Sequence, residues 1–198
     1  MKGRLGGVLA AGLAAFFVMA GLADAADRIG DFVVYPQSDL IALDGQISTG
    51  TIGDFHRALA ARPHTRIVLL ESPGGDVDAA LQLASEIRQR GLGTAIPRGF
   101  ICYSACSYLF FAGREHVVRG ALGVHRVSAE GWSEARGMVY DGDVRAALTS
   151  YGVAAGVIKA MVSTPPSSLH VFSPAEISRL SINKIAGNES LAVKYAAM

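Results

Sequence analysis

The sequence has few charged residues and no excess of either sign. Only 18% of its 198 residues are Asp, Glu, Lys or Arg, and the formal net charge is +1. A protein dedicated to nucleic acid carries a broad basic surface, so this balance excludes that function class. Hydrophobic residues make up 51% of the chain, which excludes a disordered or collagen-like protein. The length is typical of one domain that can bury a hydrophobic core without stabilisation by metal ions or disulfides.

Sequence patterns that bind metals and dinucleotides are also missing. There is no CxxC or HExxH motif, and Glu115-His116 is an isolated pair. Gly91-Leu92-Gly93 follows a predicted helix and precedes a predicted strand, which is the wrong order for a dinucleotide-binding loop. We therefore expect no metal and no cofactor.

The first 25 residues have the pattern of a secretory signal peptide. Two positive charges near the start are followed by an uncharged, largely apolar run over residues 5–23. Ala23-Asp24-Ala25 matches the small-x-small cleavage pattern, so we expect cleavage after Ala25 and a mature domain over residues 26–198, periplasmic or secreted. The alternative is an uncleaved membrane anchor, because about 18 apolar residues can span a bilayer. In both cases the chain would contact a membrane only through this segment.

Short apolar runs alternate with helical patterns in the first half of the domain. Strands are predicted for residues 31–35, 40–43 and 67–70. Helical periodicity covers residues 51–61 and returns after Asp76, the expected N-cap of a helix that ends at Gly91. This order predicts an α/β fold with right-handed crossovers and a largely parallel sheet.

The second half continues the pattern. It predicts strands at residues 93–96, 117–118 and 122–124. It also predicts a helix over residues 104–112 that is apolar on nearly every side. Residues 128–141 are polar and lack helical periodicity, so we expect a loop there. A helix over 143–162 with a break at Gly152 should follow, and Ser173-Pro174-Ala175-Glu176 forms a capping box that begins a last short helix.

Two of the predicted helix starts leave backbone N–H groups free. The first follows the Gly74-Gly75-Asp76 turn, and the second is at Ser104, which opens the apolar helix. Free N–H groups at helix starts attract anionic oxygens, and two that converge can form an oxyanion hole. Taken singly, the glycine motif is also typical of a type II turn, and Ser104 of an N-cap residue.

Together and in this order, the motifs resemble the proteolytic subunit of the Clp protease and its relatives in the wider Clp protease/crotonase superfamily. The resemblance is carried by LLESPGGDVDAALQLASEIRQRG, then CYSACSYLFFAG, then LGVHRV. The CxSAC form of the serine motif is similar to that of exported, uncharacterised Clp-protease-like proteins of bacteria. The resemblance implies a single-domain α/β spiral of ββα units with serine hydrolase activity, in particular that of a peptidase.

The resemblance also implies roles for individual residues. Ser104 would be the nucleophile, His125 the base that accepts its proton, and the N–H groups of Gly75 and Ala105 the oxyanion hole. A Cβ at Gly75 should then intrude on the space of the substrate carbonyl. The partners would be a peptide or protein substrate and further copies of the chain, although residues 126–141 suggest that the family's helical handle is reduced.

The third catalytic residue of the family, an aspartate, has no counterpart here. Residues 164–173 should supply it but contain no carboxylate, and Ser168 or Leu169 stands where the acid is expected. A serine can orient the histidine ring but brings no negative charge to stabilise the imidazolium. We expect Ser167 or Ser168 beside the ring; Asp141 and Asp143 are alternatives that the spacing does not favour.

Other functions remain open at this point. The signal peptide peptidase A branch of the superfamily uses a Ser–Lys dyad, and Lys159 lies 55 residues after Ser104, although a lysine on an apolar stretch is more often a surface residue. The missing acid favours a peptide-binding module that has lost turnover. A crotonase-type acyl-thioester enzyme is a further alternative, but its cofactor is cytoplasmic and its chemistry does not need Ser104.

Cys102 and Cys106 are the only cysteines of the sequence. In one regular helix their Cβ atoms would be about 5–6 Å apart, whereas a disulfide needs about 3.5–4.5 Å. A bridge can form only if Cys102 lies before the helix; otherwise both are small buried residues. The sequence leaves both alternatives open.

Overall fold

The computed structural model describes residues 26–36, 38–128, 133–185 and 190–197. The predicted signal segment, including Ala23-Asp24-Ala25, lies outside the described residues. Among the helices within these ranges, none combines the length and the apolar character that crossing a membrane requires.

Strands and helices alternate along the described chain. The strands are β1 (Asp27–Ile29), β2 (Phe32–Val34), β3 (Leu40–Asp44), β4 (Ile67–Glu71), β5 (Gly93–Ile96), β6 (Ile101–Tyr103), β7 (His116–Val118), β8 (Ala121–Val124) and β9 (His170–Val171). The helices are α1 (Thr49–Ala61), α2 (Val77–Gln89), α3 (Cys106–Ala112), α4 (Glu134–Ser150), α5 (Ala155–Ser163), α6 (Pro174–Arg179) and α7 (Leu191–Ala196).

The strands form a large sheet and a small one. The large sheet has the order β1-β2-β3-β4-β5-β7, in which β3, β4, β5 and β7 are parallel and β1 and β2 form an antiparallel edge. The small sheet has the order β6-β8-β9, with β6 and β8 parallel and β9 antiparallel to β8. The predicted α/β fold with a largely parallel sheet is therefore confirmed.

The large sheet is buried because helices cover both of its faces. Alternate residues of β3 and β4 face either a core shared with α1, α2 and α3 or a smaller cluster under α7. Their continuous apolar runs are explained by this double burial, as expected for parallel strands. Asp76 caps α2 by accepting a hydrogen bond from the Ala79 N–H at 2.8 Å, and Gly91 follows the helix with φ +67°. The sequence predicts both ends of α2 correctly.

The region after His125 differs from the sequence prediction. A loop was expected over residues 128–141, but α4 begins at Glu134. Gly137 and Gly142 disfavour a helix, and α4 has no distinct apolar stripe. Tertiary contacts outweigh these local preferences, because Ser133 accepts a hydrogen bond from the first turn and two side chains of α4 are fully buried, Val144 and Leu148. The handle region is therefore helical from residue 134.

His116 on β7 is the buried titratable residue behind α3. Its ring packs edge-on against Phe110 and Phe111, and its Nδ1 donates to the Gly113 carbonyl at 3.2 Å. Burial disfavours the charged form and lowers the pKa of His116 from 6.5 to about 4.

The pKa of His116 predicts a loss of stability in acid. Between pH 6.5 and about 4 the unfolded chain binds the proton that folded His116 does not, so acidification should lower the free energy of unfolding. The fall should reach about 3 kcal/mol, and urea denaturation at several pH values measures it. His116→Gln should flatten this pH dependence, whereas His64→Gln, at an exposed position, should leave it unchanged. Equal pH dependence in all three proteins would contradict the prediction.

Candidate active site

Ser104 lies in the short turn between β6 and α3. Its φ of +55° is in the left-handed region, which only Ser104 and Ser181 among the described non-glycine residues adopt. The Ser104 N–H donates to the Gly123 carbonyl at 2.9 Å, and the Ser104 carbonyl accepts from the Ser107 N–H at 2.9 Å and from its hydroxyl at 2.7 Å. The N-cap residue of α3 is Ala105 and not Ser104. A left-handed residue between a strand and a helix is typical of strained nucleophile turns.

A disulfide spans this turn. Cys102 lies on β6 and Cys106 is the first residue of α3, with 5.3 Å between their Cα atoms, and the two are bonded. Both residues are fully buried. The condition that the sequence set for a bridge, Cys102 before the helix, is met because a strand and not a helical turn precedes Ser104. The disulfide therefore closes a small ring around Ser104 and links strand to helix on both sides of it.

The SPGG turn packs directly against Ser104. The Ser72 N–H donates to the Ile101 carbonyl at 2.8 Å, and the Tyr103 N–H donates to the Ser72 carbonyl at 3.0 Å, so the turn is paired with β6. A Cβ on Gly74 would lie 2.8 Å from the Ser104 Cβ, closer than side chains normally approach. Glycine at this position thus allows two motifs that are distant in sequence to meet.

Two backbone donors at the turns around Ser104 have no acceptor in the part of the chain that the structure describes. The peptide groups around Gly75 bond to Ile47, whose N–H donates to the Gly74 carbonyl at 2.8 Å and whose carbonyl accepts from the Asp76 N–H at 2.9 Å. Within the described ranges, neither the Gly75 N–H nor the Ala105 N–H donates to a protein acceptor. Unpaired N–H groups at adjoining turns are what an oxyanion hole requires.

His125 directly follows β8, at the edge of the small sheet where β6 also ends. Tyr103 pairs with Gly123 in parallel register, so Ser104 and His125 leave neighbouring strands at the same edge. The His125 Nδ1 lies 2.8 Å from the Arg126 carbonyl oxygen. Because a carbonyl can only accept, Nδ1 carries the proton and the Nε2 lone pair is available to a donor. No hydrogen bond joins the Ser104 hydroxyl to His125 among the described contacts.

The segment expected to supply the third residue runs beside His125 without contributing a polar partner. Val124 pairs with His170, which places Leu169 opposite His125. Ser168 ends a turn closed by its own N–H and the Pro165 carbonyl at 2.9 Å, and its side chain is exposed. In the part of the chain that the structure describes, the Ser168 hydroxyl forms no hydrogen bond. The ring nitrogen that Ser168 was expected to bind is bonded to the Arg126 carbonyl instead.

Asp141 on α4 contacts the segment that follows His125. Its Oδ1 accepts a hydrogen bond from the Val127 N–H at 3.1 Å. Burial, and to a lesser extent the charge of Asp141, raises the pKa of Tyr108 on α3. The spacing of the sequence does not favour Asp141, and its proximity depends on the unexpected helix α4.

Lys159 is exposed on α5 and has no hydrogen bond or ion pair among the described residues. A lysine that acts as a base is normally buried, so its position does not favour the Ser–Lys alternative. Groups of three or more His, Cys, Asp or Glu side chains that could hold a metal are absent from the described ranges.

Comparisons with known proteins give similarity at the level of structure. No family model and no curated protein matches the sequence. A mutant of the 1510-N membrane-bound stomatin-specific protease in complex with a substrate peptide is similar, with TM-score 0.56 and 19% identity over 78% of this chain and 77% of that one. ClpP1 from Listeria monocytogenes has TM-score 0.58 and 12% identity over 73% of this chain and 88% of its own.

The ClpP protease catalytic domain from Plasmodium falciparum is also similar, with TM-score 0.56 and 13% identity over 76% of this chain and 86% of that one. The chain therefore has the Clp protease-like α/β fold, as the resemblance of its motifs implies. A shared fold positions a site but does not by itself define the reaction.

Proposed function

We propose that this protein is an exported serine peptidase in which Ser104 is the nucleophile and His125 the general base. The observation that carries the proposal is the meeting of the left-handed Ser104 turn with two N–H donors, those of Gly75 and Ala105, that have no acceptor among the described residues. Export is part of the proposal because of the predicted signal segment, and a disulfide is typical of proteins that fold in an oxidising compartment.

The chemistry follows from these groups. The Ser104 Oγ attacks the scissile carbonyl while its proton passes to Nε2 of His125. The oxyanion that forms accepts hydrogen bonds from the N–H groups of Gly75 and Ala105, each typically worth about 10²–10³ in rate. The imidazolium then gives its proton to the leaving amine as the C–N bond breaks, and a water molecule deprotonated by His125 hydrolyses the acyl-enzyme.

A peptide is the substrate class that the surroundings of the site favour. Among the described strands β9 is at the edge of the small sheet, and the side that faces away from β8 can bind an extended peptide through backbone hydrogen bonds. Leu169 and Val171 are 38% and 45% exposed there, which provides apolar surface for substrate side chains. The substrate peptide bound to the stomatin-specific protease of the same fold is consistent with this class.

A fluorophosphonate probe tests the proposal, because it labels only activated serines. The protein spanning residues 26–198 should be labelled at Ser104, as identified by peptide mass spectrometry. Ser104→Ala should abolish labelling, and His125→Gln should slow it by about 10³-fold or more. Lys159→Ala is the matched control and should be labelled at the rate of the wild type. Absence of labelling in folded wild-type protein would overturn the proposal.

A peptide-binding module without turnover is the second candidate. It is favoured by one observation, that Nδ1 of His125 is bonded to a neutral carbonyl and not to a carboxylate. On this alternative, folded wild-type protein would bind extended peptides in a titration calorimeter but remain unlabelled by the probe.

A further inference from the structure

One backbone amide connects His125 to a carboxylate. The His125 Nδ1–H donates to the Arg126 carbonyl at 2.8 Å, and the Val127 N–H donates to Asp141 Oδ1 at 3.1 Å. The Arg126 carbonyl and the Val127 N–H belong to the same peptide group. The two hydrogen bonds therefore form a chain from carboxylate to amide to imidazole.

We propose that Asp141 replaces the missing catalytic acid by acting on His125 through this amide. Asp141 is thus a positioning residue, and its role rests on the proposed function of His125 as a base. In this fold the acid is expected beside the ring, whereas here a helix that the sequence did not predict supplies it one peptide group away.

The geometry of the peptide group makes such coupling effective. In a planar trans amide the carbonyl and the N–H point in opposite directions, so a carboxylate on the N–H side polarises the carbonyl oxygen on the other side. Hydrogen bonds in such chains strengthen one another by about 10–30% each. The more negative oxygen stabilises the imidazolium that forms when His125 takes the proton of Ser104, and no proton has to move along the chain.

The same contacts fix the orientation of the ring. The Arg126 N–H donates to the Thr164 carbonyl at 2.9 Å, which holds the peptide group before Arg126. The bond from the Val127 N–H to Asp141 holds the peptide group after it. Asp141 is in turn fixed by α4, whose Val144 and Leu148 side chains are buried in the core. His125 cannot turn its Nδ1 away without breaking the bond that selects its tautomer.

The other titratable groups around His125 do not duplicate this contact. β6 contributes Tyr103 and α3 contributes Tyr108, which is buried near Asp141. β9 contributes His170, whose side chain pairs with Glu176 at 3.1 Å, and Arg126 itself is exposed. Among the described residues, Asp141 is the carboxylate bonded to the peptide groups next to His125.

Asp141→Asn tests the proposal because asparagine can keep the hydrogen bond to Val127 but lacks the charge. Probe labelling at pH 7 should slow about tenfold, far less than the ~10⁴ of a lost triad acid. The rising limb of the pH profile for labelling should move to lower pH, which a purely structural role of Asp141 would not cause.

Asp143→Asn is the matched control. It removes the same charge from the same helix at an exposed position, so the labelling rate and its pH profile should stay at wild-type values. Equal labelling rates and pH profiles in the two variants would overturn the proposal. A proton on Nδ1 of neutral His125 in a folded protein that the probe never labels would instead retain the hydrogen-bond chain and reject the peptidase function.

The wild-type protein provides a test that does not depend on a variant. Ring nitrogen chemical shifts of neutral His125 should show the proton on Nδ1, as the bond to Arg126 requires. A proton on Nε2 would break the chain at its first bond and overturn the proposal.

Discussion

Replacing Ser104 with glycine should abolish probe labelling and at the same time make the protein more stable. The backbone of Ser104 has φ +55°, a conformation that costs residues with a Cβ about 1–2 kcal/mol and glycine almost nothing. Its hydroxyl forms no hydrogen bond among the described residues, so little is lost with the side chain. After the greater entropy of unfolded glycine is subtracted, the free energy of unfolding should rise by about 0.5–1 kcal/mol, measured in urea.

Two further variants separate strain from function. Ser104→Ala removes the hydroxyl but keeps a Cβ in the left-handed conformation, so it should lose labelling without gaining stability. Ser181→Gly relieves the same kind of strain at φ +49° outside the site and should gain stability with labelling intact. If Ser104→Gly is less stable than Ser104→Ala, the backbone around the serine is not strained. The predicted order would instead identify the strain as a cost retained for reactivity.

Gly75→Ala should be among the most destabilising single substitutions in the protein. The added Cβ would lie 2.0 Å from the Ile47 carbonyl oxygen, and φ at this position is +145°. The Ile47 carbonyl is a backbone group and the position of a Cβ is fixed by the backbone, so neither can rotate away. The SPGG turn and the segment after β3 would have to separate. We expect the free energy of unfolding to fall by more than about 3 kcal/mol. The sequence-based expectation that the Cβ would enter the substrate's space is wrong, because it points to Ile47.

Gly91→Ala is the control for this prediction. Gly91 also has a positive φ, +67°, but a Cβ there would meet no atom within 4 Å. Its cost should be limited to the left-handed conformation, about 1 kcal/mol. The difference between the two variants in thermal and urea unfolding therefore measures the collision with Ile47. Equal costs would show that Gly75 and Ile47 do not approach closely in solution.

The sequence predicts the fold well where the signals are local. The apolar runs of β3 and β4, the cap at Asp76 and the glycine at position 91 each specify their element within a few residues. β6 and β9 have three and two residues and are defined by pairing with β8, so no local pattern indicates them. α4 was missed for the same reason, since distant contacts stabilise it.

The candidate site likewise combines features that local sequence specifies with features that depend on distant contacts. Ser104 and the glycine pair can be recognised because they belong to motifs that also determine local backbone conformation. The contact of Asp141 could not be predicted, because it depends on the direction of the peptide group between Arg126 and Val127. The preceding peptide group is held in the same way by a distant segment, because the Arg126 N–H donates to the Thr164 carbonyl, and no residue type encodes such a pairing.

The oxidation state of Cys102 and Cys106 in a preparation of this protein depends on the compartment in which the chain folded. A copy that folds among reducing thiols would have two buried sulfhydryl groups, and backbone hydrogen bonds alone would hold the Ser104 turn. Because both sulfurs are buried, an oxidant added after purification would reach them only when the junction of β6 and α3 opens. Batches of identical sequence and purity would therefore differ in the fraction of molecules that contain the bridge, according to the conditions of their expression, and a thiol count measures that fraction.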